Sequence, residues 1–264
     1  MNTLRVITVL VSIVFLVSAQ ASLADINSDL VCHWTFDEDF TDSAGATAND
    51  AAGYGDAAVT TTAGQWVVGG GALKLDGVGD YLNVADQAEV DGNGSGGVTF
   101  SSFIYLNAMP AEGTNADIFS KAYNEQYRFG VNVNSNLWYL IEDGVGRDVQ
   151  EIDTGLVVGR WYHVAMTADF TTSTVRFYVD GSEVGTGLTT AMTQIRDRYH
   201  PLKIGTWNAN QADGFFNGYI DDLRIYHRVL GGSDVAELAG VPEPGSLTLL
   251  VLGFLGLLGV RCRR

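Results

Sequence analysis

Thr174-Val175-Arg176-Phe177-Tyr178-Val179-Asp180-Gly181 decides the fold class. Val175, Phe177 and Val179 alternate with Arg176 and Tyr178, the period of two that gives a strand one buried and one wet face. Asp180-Gly181 then supplies the left-handed residues of a tight turn, so a hairpin closes here. Outward from this hairpin the same pattern recurs, as short segments rich in Val, Ile, Thr, Phe and Tyr separated by Gly, Asn and Asp. Strands are predicted over residues 30–36, 72–75, 81–84, 98–106, 117–121, 127–133, 137–142, 161–168, 174–179, 202–204 and 219–226. A single helical turn is predicted near the end, with Ser233 as its cap, Val235, Leu238 and Ala239 on one face, and Gly240 as its stop. The chain has no long amphipathic helix and no solenoid or propeller period, which disfavours βαβ architectures with their nucleotide sites. It reads as a single all-β antiparallel sandwich.

Composition narrows the function. The 264 residues carry 15 Lys and Arg against 31 Asp and Glu, a formal charge of −16, and 46% of them are hydrophobic. That is enough apolar material for a core, so a disordered acidic chain is excluded. The 32 glycines show no three-residue period, which excludes collagen. No basic stripe exists to meet a phosphate backbone, and nucleic acid is dropped as a partner.

The two ends read as addresses. Met1 to Arg5 is a short basic n-region, residues 6–17 are apolar, and Ala19-Gln20-Ala21 has the small-x-small form of a signal-peptidase site, so residues 1–24 are expected to be a signal peptide. At the other end Val241-Pro242-Glu243-Pro244-Gly245-Ser246 precedes an apolar stretch over 247–260 and then Arg261-Cys262-Arg263-Arg264. That order resembles the PEP-CTERM sorting signal of Gram-negative bacteria. The resemblance implies transient anchoring in the inner membrane, with the arginines inside, and cutting by an exosortase-type protease. The globular part would then pass to the cell surface or extracellular matrix. A plain anchor is the alternative. Arg5, Arg261, Arg263, Arg264 and Glu243 lie in these ends, which leaves residues 25–240 with 11 bases against 30 acids, a net of −19. Only Cys32 would survive processing, as a buried free thiol.

Further residues carry a second resemblance. Trp161-Tyr162-His163-Val164-Ala165, Leu202-Lys203-Ile204-Gly205 and Phe216-Asn217-Gly218-Tyr219-Ile220-Asp221-Asp222-Leu223-Arg224-Ile225-Tyr226 follow one another around the hairpin. His33-Trp34-Thr35-Phe36-Asp37-Glu38 and Gly71-Ala72-Leu73-Lys74-Leu75-Asp76-Gly77 precede them. In order and spacing this is similar to the LamG-like jelly-roll domain of the concanavalin A-like lectin/glucanase superfamily. The likeness implies two curved antiparallel sheets over 25–240, with the chain ends side by side. It implies no single activity, because this fold hosts lectins, hydrolases, lyases and adhesion modules.

Catalysis is the first function to weigh. Glucanases of this fold use a Glu-x-Asp-x-x-Glu strand, and here Glu151-Ile152-Asp153 is followed by Thr154-Gly155-Leu156, without the second glutamate. Adjacent acids such as Glu142-Asp143 and Asp221-Asp222 should point to opposite strand faces. No Gly-x-Ser-x-Gly supports a serine nucleophile. His163, His200 and Tyr199 leave lyase chemistry open, although His163 reads better as a satisfied, partly buried histidine.

Calcium is the cofactor the sequence favours, held by Asp37, Asp50 and Asp221 if the terminal strands pair and bring these acids together. The same acids would serve equally as a solvated rim. Sugar binding needs aromatic faces beside amides, and Trp207, Asn208, Asn210 and Trp138 supply them, Trp207 from a loop. An aromatic in a β-sandwich serves as core more often than as a platform. The reading is therefore an exported, non-catalytic module that binds a polysaccharide or surface glycan in the bacterial envelope or matrix. A lyase or hydrolase of the same fold, and a structural matrix protein without a discrete ligand, are the alternatives.

Overall fold

The computed structural model describes residues 25–45, 49–92, 96–121, 126–207 and 214–240. In chain order the strands begin with β1 (Leu30–Trp34), β2 (Ala51–Tyr54), β3 (Ala58–Thr60), β4 (Ala72–Asp76) and β5 (Tyr81–Val84). β6 (Gly97–Leu106), β7 (Asn115–Lys121), β8 (Tyr127–Asn132), β9 (Asn136–Glu142) and β10 (Arg147–Asp153) follow. The last are β11 (Trp161–Asp169), β12 (Thr174–Val179), β13 (Ser182–Thr189), β14 (Leu202–Ile204) and β15 (Asn217–Tyr226), before one short helix, α1 (Gly232–Leu238).

They form two antiparallel sheets, as expected. The first runs β13-β12-β11-β6-β15-β4-β3, with β1 also on β15, and the second runs β10-β9-β8-β7-β14-β5-β2. Between them lies a core of fully buried rings and aliphatics, with Phe100 packing on Phe119 at 4.7 Å and on Tyr127 at 5.0 Å between centroids. Period two explains the layering: Tyr127, Phe129 and Val131 of β8 enter the core, while Arg128, Gly130 and Asn132 between them take the opposite face. The hairpin that opened the sequence reading forms, with Asp180 and Gly181 at φ 48° and 75° and Val179 opposite Ser182. The terminal strands pair, Trp34 facing Leu223, and Cys32 is a buried free thiol.

Some elements differ from the sequence prediction. β2, β3, β10 and β13 fall where no strand range was predicted. Ala51-Ala52-Gly53-Tyr54 has no β-branched residue, and β10 is an edge strand with Arg147, Glu151 and Asp153 at exposed positions. Helix α1 is capped by Gly231 instead of Ser233, and the Gly231 N–H donates to Asp234 Oδ2 (3.3 Å). The alternation expected for Asp221-Asp222 also fails. A bulge between Asp221 and Arg224, with Asp222 at φ 53°, turns both carboxylates to the outer side of the first sheet.

Candidate functional site

The outer face of the second sheet brings together two of the sequence-predicted aromatics. Trp138 on β9 lies opposite Gly130 of β8, which has no side chain to set against it, and the neighbouring outward residue of β8 is Arg128. The Arg128 guanidinium sits 4.6 Å from the Trp138 ring centre and 4.8 Å from that of Trp207, which follows β14. Asp117 of β7 holds the guanidinium from below, with Oδ2 accepting from an Nη at 2.7 Å and Oδ1 from Nε at 3.2 Å. Burial raises the Asp117 carboxyl to about 6, and Arg128 opposes that rise. The pair is internally neutral and fixes the flanking rings.

A cavity of about 240 Å³ opens beside this stack, lined by Asn115, Asn132, Trp138, Val149, Gln150 and Glu151. Glu151 accepts from Asn132 Nδ2 and from Asn136 Nδ2 (3.2 Å), and Asn132 Oδ1 accepts from the N–H groups of Asn134 (2.9 Å) and Asn136 (3.1 Å). The polar lining is therefore preset. The Trp138 Nε1–H is buried and has no acceptor among the described residues. Trp138 is only 4% exposed yet belongs to neither apolar core cluster, and Trp207 is half-buried outside them too. Asn208 and Asn210 lie outside the described residues. Arg128, Asn115 and Asn132 were not singled out from sequence, and Glu151 was weighed only for catalysis, although the alternation Tyr127-Arg128-Phe129 already puts Arg128 on the outer face.

The acids expected to hold calcium separate into two places. Asp37 and Asp221 fasten the same loop: the Gly70 and Gly71 N–H groups donate to Asp37 Oδ1 at 2.5 and 3.2 Å, and those of Val67 and Val68 donate to Asp221 Oδ2 at 2.8 and 2.9 Å. Asp50 lies apart and accepts from the Asp42 N–H at 2.9 Å. Asp221 Oδ1 is buried without a donor, and burial first, then the charges of Asp222 and Asp37, lift its carboxyl to about 6 against the pull of the two N–H donors. Among the described residues no three His, Cys, Asp or Glu side chains group closely enough to hold a metal ion.

His163 is buried in the first sheet, where its Nε2 meets Ser101 Oγ at 2.8 Å; burial lowers it to about 4, so it is neutral. Tyr199 and His200 are exposed on the loop before β14 of the other sheet, and these three do not form one site. A chain Ser43 Oγ–His33–Asp222 also exists, at 3.0 and 2.6 Å, but the same hydroxyl donates to the His33 carbonyl (3.0 Å) and Arg224 also pairs with Asp222 (3.0 Å). It braces β1 on β15. Among the described residues no helix is long and apolar enough to cross a membrane.

Comparison with known proteins agrees with the fold. A family model described as the concanavalin A-like lectin/glucanases superfamily matches residues 76–236, and a PEP-CTERM protein-sorting motif matches residues 240–264. No curated relative matches the sequence. Among solved structures, the receptor binding domain of botulinum neurotoxin C/D mosaic serotype superposes with a TM-score of 0.63 at 13% identity, over 81% of this chain and 51% of that one. The binding domain of Paraclostridial Mosquitocidal Protein 1 gives 0.60 at 15%, over 81% and 52%. Domain 4 of AbnA, an extracellular arabinanase from Geobacillus stearothermophilus in complex with arabinotriose, gives 0.56 at 21%, over 80% and 98%. The chain spans about half the length of the toxin domains, and at these identities the likeness is one of fold.

Proposed function

Because the chain belongs to the concanavalin A-like lectin/glucanases superfamily, we propose that it is a non-catalytic module that binds a glycan on the outer face of its second sheet. The observation that carries this reading is the Trp138 indole N–H, buried without an acceptor beside a cavity of amides and a carboxylate. A buried donor left unpaired costs about 1 to 3 kcal/mol, and a sugar hydroxyl entering the cavity would relieve it. Trp207, held by Arg128, offers an apolar ring, Trp138 offers its N–H, and Asn115, Asn132 and Glu151 offer hydroxyl partners. The arabinotriose complex of the arabinanase domain supports a sugar ligand for this fold. The sorting motif supports export to the cell envelope, with exosortase cutting near Pro242-Glu243-Pro244 and transient anchoring through the apolar tail.

Calcium enters the same reading at the Asp37–Asp221 junction, where Asp221 Oδ1 lacks a partner and like charges crowd it. A divalent cation would supply the missing partner there.

The test uses the full chain in mild detergent against a panel of arabinan, xylan, mannan, galactan, β-glucan, chitin and polygalacturonate. Retention of one neutral polysaccharide without release of sugars is the expected result. Trp138→Phe keeps the packing but removes the N–H, and should weaken retention about threefold to tenfold. Cleavage of the retained polymer, or wild-type binding by the Trp138→Phe variant, would overturn the reading.

A further inference from the structure

A second aromatic group stands on the same sheet face, away from Trp138. Tyr54 of β2 lies opposite Tyr81 of β5, and their rings stack at 4.8 Å with planes 6° apart. Lys203 Nζ is 4.9 Å from the Tyr81 ring centre and donates to Asn83 Oδ1 at 3.2 Å. Strand order puts Tyr81 between Tyr54 on the edge strand and Lys203 on β14. The group is therefore held rigid by its own members, yet Tyr54 remains 47% exposed.

Register proves the shared face. Ala52 lies opposite Asn83, Asn83 opposite Lys203, Lys203 opposite Ser120 and Ser120 opposite Arg128. Opposed residues of paired strands point the same way, so the tyrosines and the Arg128–Trp138 stack look out together. From β5 to β9 there are four strand steps, a span of about 19 Å. Gly130, opposite both Trp138 and Asp117, adds no side chain to that path.

Resting on the glycan reading, we propose that Tyr54, Tyr81, Lys203 and Asn83 form a second subsite, so that the sheet binds an extended, uncharged polysaccharide lying across its strands. The exposed phenol ring gives a stacking surface, and the phenol hydroxyls, ammonium and amide give partners for sugar hydroxyls. Charge selects the neutral polymer, because a domain with 11 bases against 30 acids repels a polyanion. A single sugar fills one subsite, whereas a chain long enough to span both gains from linkage of the two.

The experiment measures affinity of the full chain for the best-retained panel polysaccharide and for its oligosaccharides of rising length. Affinity should climb about tenfold or more once the oligosaccharide reaches both subsites. Tyr54→Ala should remove that climb, lower polymer affinity about fivefold to tenfold, and leave the shortest oligosaccharides unchanged. Tyr54→Phe should keep most of the polymer affinity, and an unchanged melting midpoint in both variants establishes that they fold. Affinity that is flat with length, or a Tyr54→Ala variant that holds the polymer like wild type, overturns the second subsite and leaves the Trp138 site standing. Preference for polygalacturonate overturns the neutral chain. Failure of the wild type to retain any panel polysaccharide overturns the glycan reading and this inference with it.

Discussion

His163 and Asp221 titrate in opposite senses. In the fold His163 sits at about 4 against about 6.5 unfolded, so its contribution is intact above pH 6.5 and is lost as pH falls towards 4, where the unfolded chain takes the proton first. Asp221, at about 6 in the fold, takes its proton before the unfolded chain does, so it adds stability as pH falls through that value and costs stability above it. His163→Asn should shrink the loss between pH 7 and pH 4.5 by about 2 kcal/mol in urea melts. An unchanged loss would assign it to another group. Asp221→Asn keeps an acceptor for the Val67 and Val68 N–H groups while removing the desolvated charge, and should stabilise the calcium-free protein at pH 7.5 by roughly 1 kcal/mol. Calcium should raise the midpoint of the wild type and not of this variant. Equal midpoints in calcium and in chelator would remove the cation from the junction.

Among elements, β8 and β9 carry the site because their outward positions hold an arginine, a glycine and a tryptophan in register. Asp117→Ala takes the carboxylate away from the buried Arg128 guanidinium and should cost about 3 to 5 kcal/mol, whereas Trp207→Ala, outside the core, should cost well under that. A thermal melt of each separates them, and a Trp207 variant as damaged as the Asp117 variant would return that ring to the packing. Strand positions were legible in the sequence wherever alternation placed Val, Ile or Phe on one face, as in β12 or β11. They were illegible in β2, where alanine and glycine give no period, and in β10, where charged residues share an edge strand. The site was half legible. Trp138 and Trp207 stood out by type, but their convergence on Arg128 depends on pairing β14 with β7 across more than 70 residues of chain, which no local pattern encodes. The bulge at Asp221–Arg224 was invisible for the same reason, since only the partner strand reveals the one extra residue.

At the scale of the whole molecule, charge is the dominant unbalanced term. Residues 25–240 hold 30 acids and 11 bases, and several of those bases are already paired, Lys121 with Asp86 and Asp91 and Arg128 with Asp117 within the fold, Arg160 and Arg176 at the surface. The exposed pairs Arg160–Asp180 and Arg176–Glu183 add about 0.2 to 1 kcal/mol each, too little to offset repulsion among the remaining carboxylates. That repulsion is long-ranged in dilute buffer, where the screening length is about 30 Å, and short at physiological salt, where it is about 8 Å. The melting midpoint should therefore rise by several degrees when sodium chloride is raised from about 0.01 M to 0.15 M. Affinity for the neutral polysaccharide should stay within about twofold over the same range, because Arg128 is neutralised by Asp117 before the ligand arrives. A midpoint that falls with salt would mean that the specific ion pairs outweigh the general field. A glycan affinity that drops steeply with salt would mean that the ligand is anionic and that Lys203 meets it as a charge.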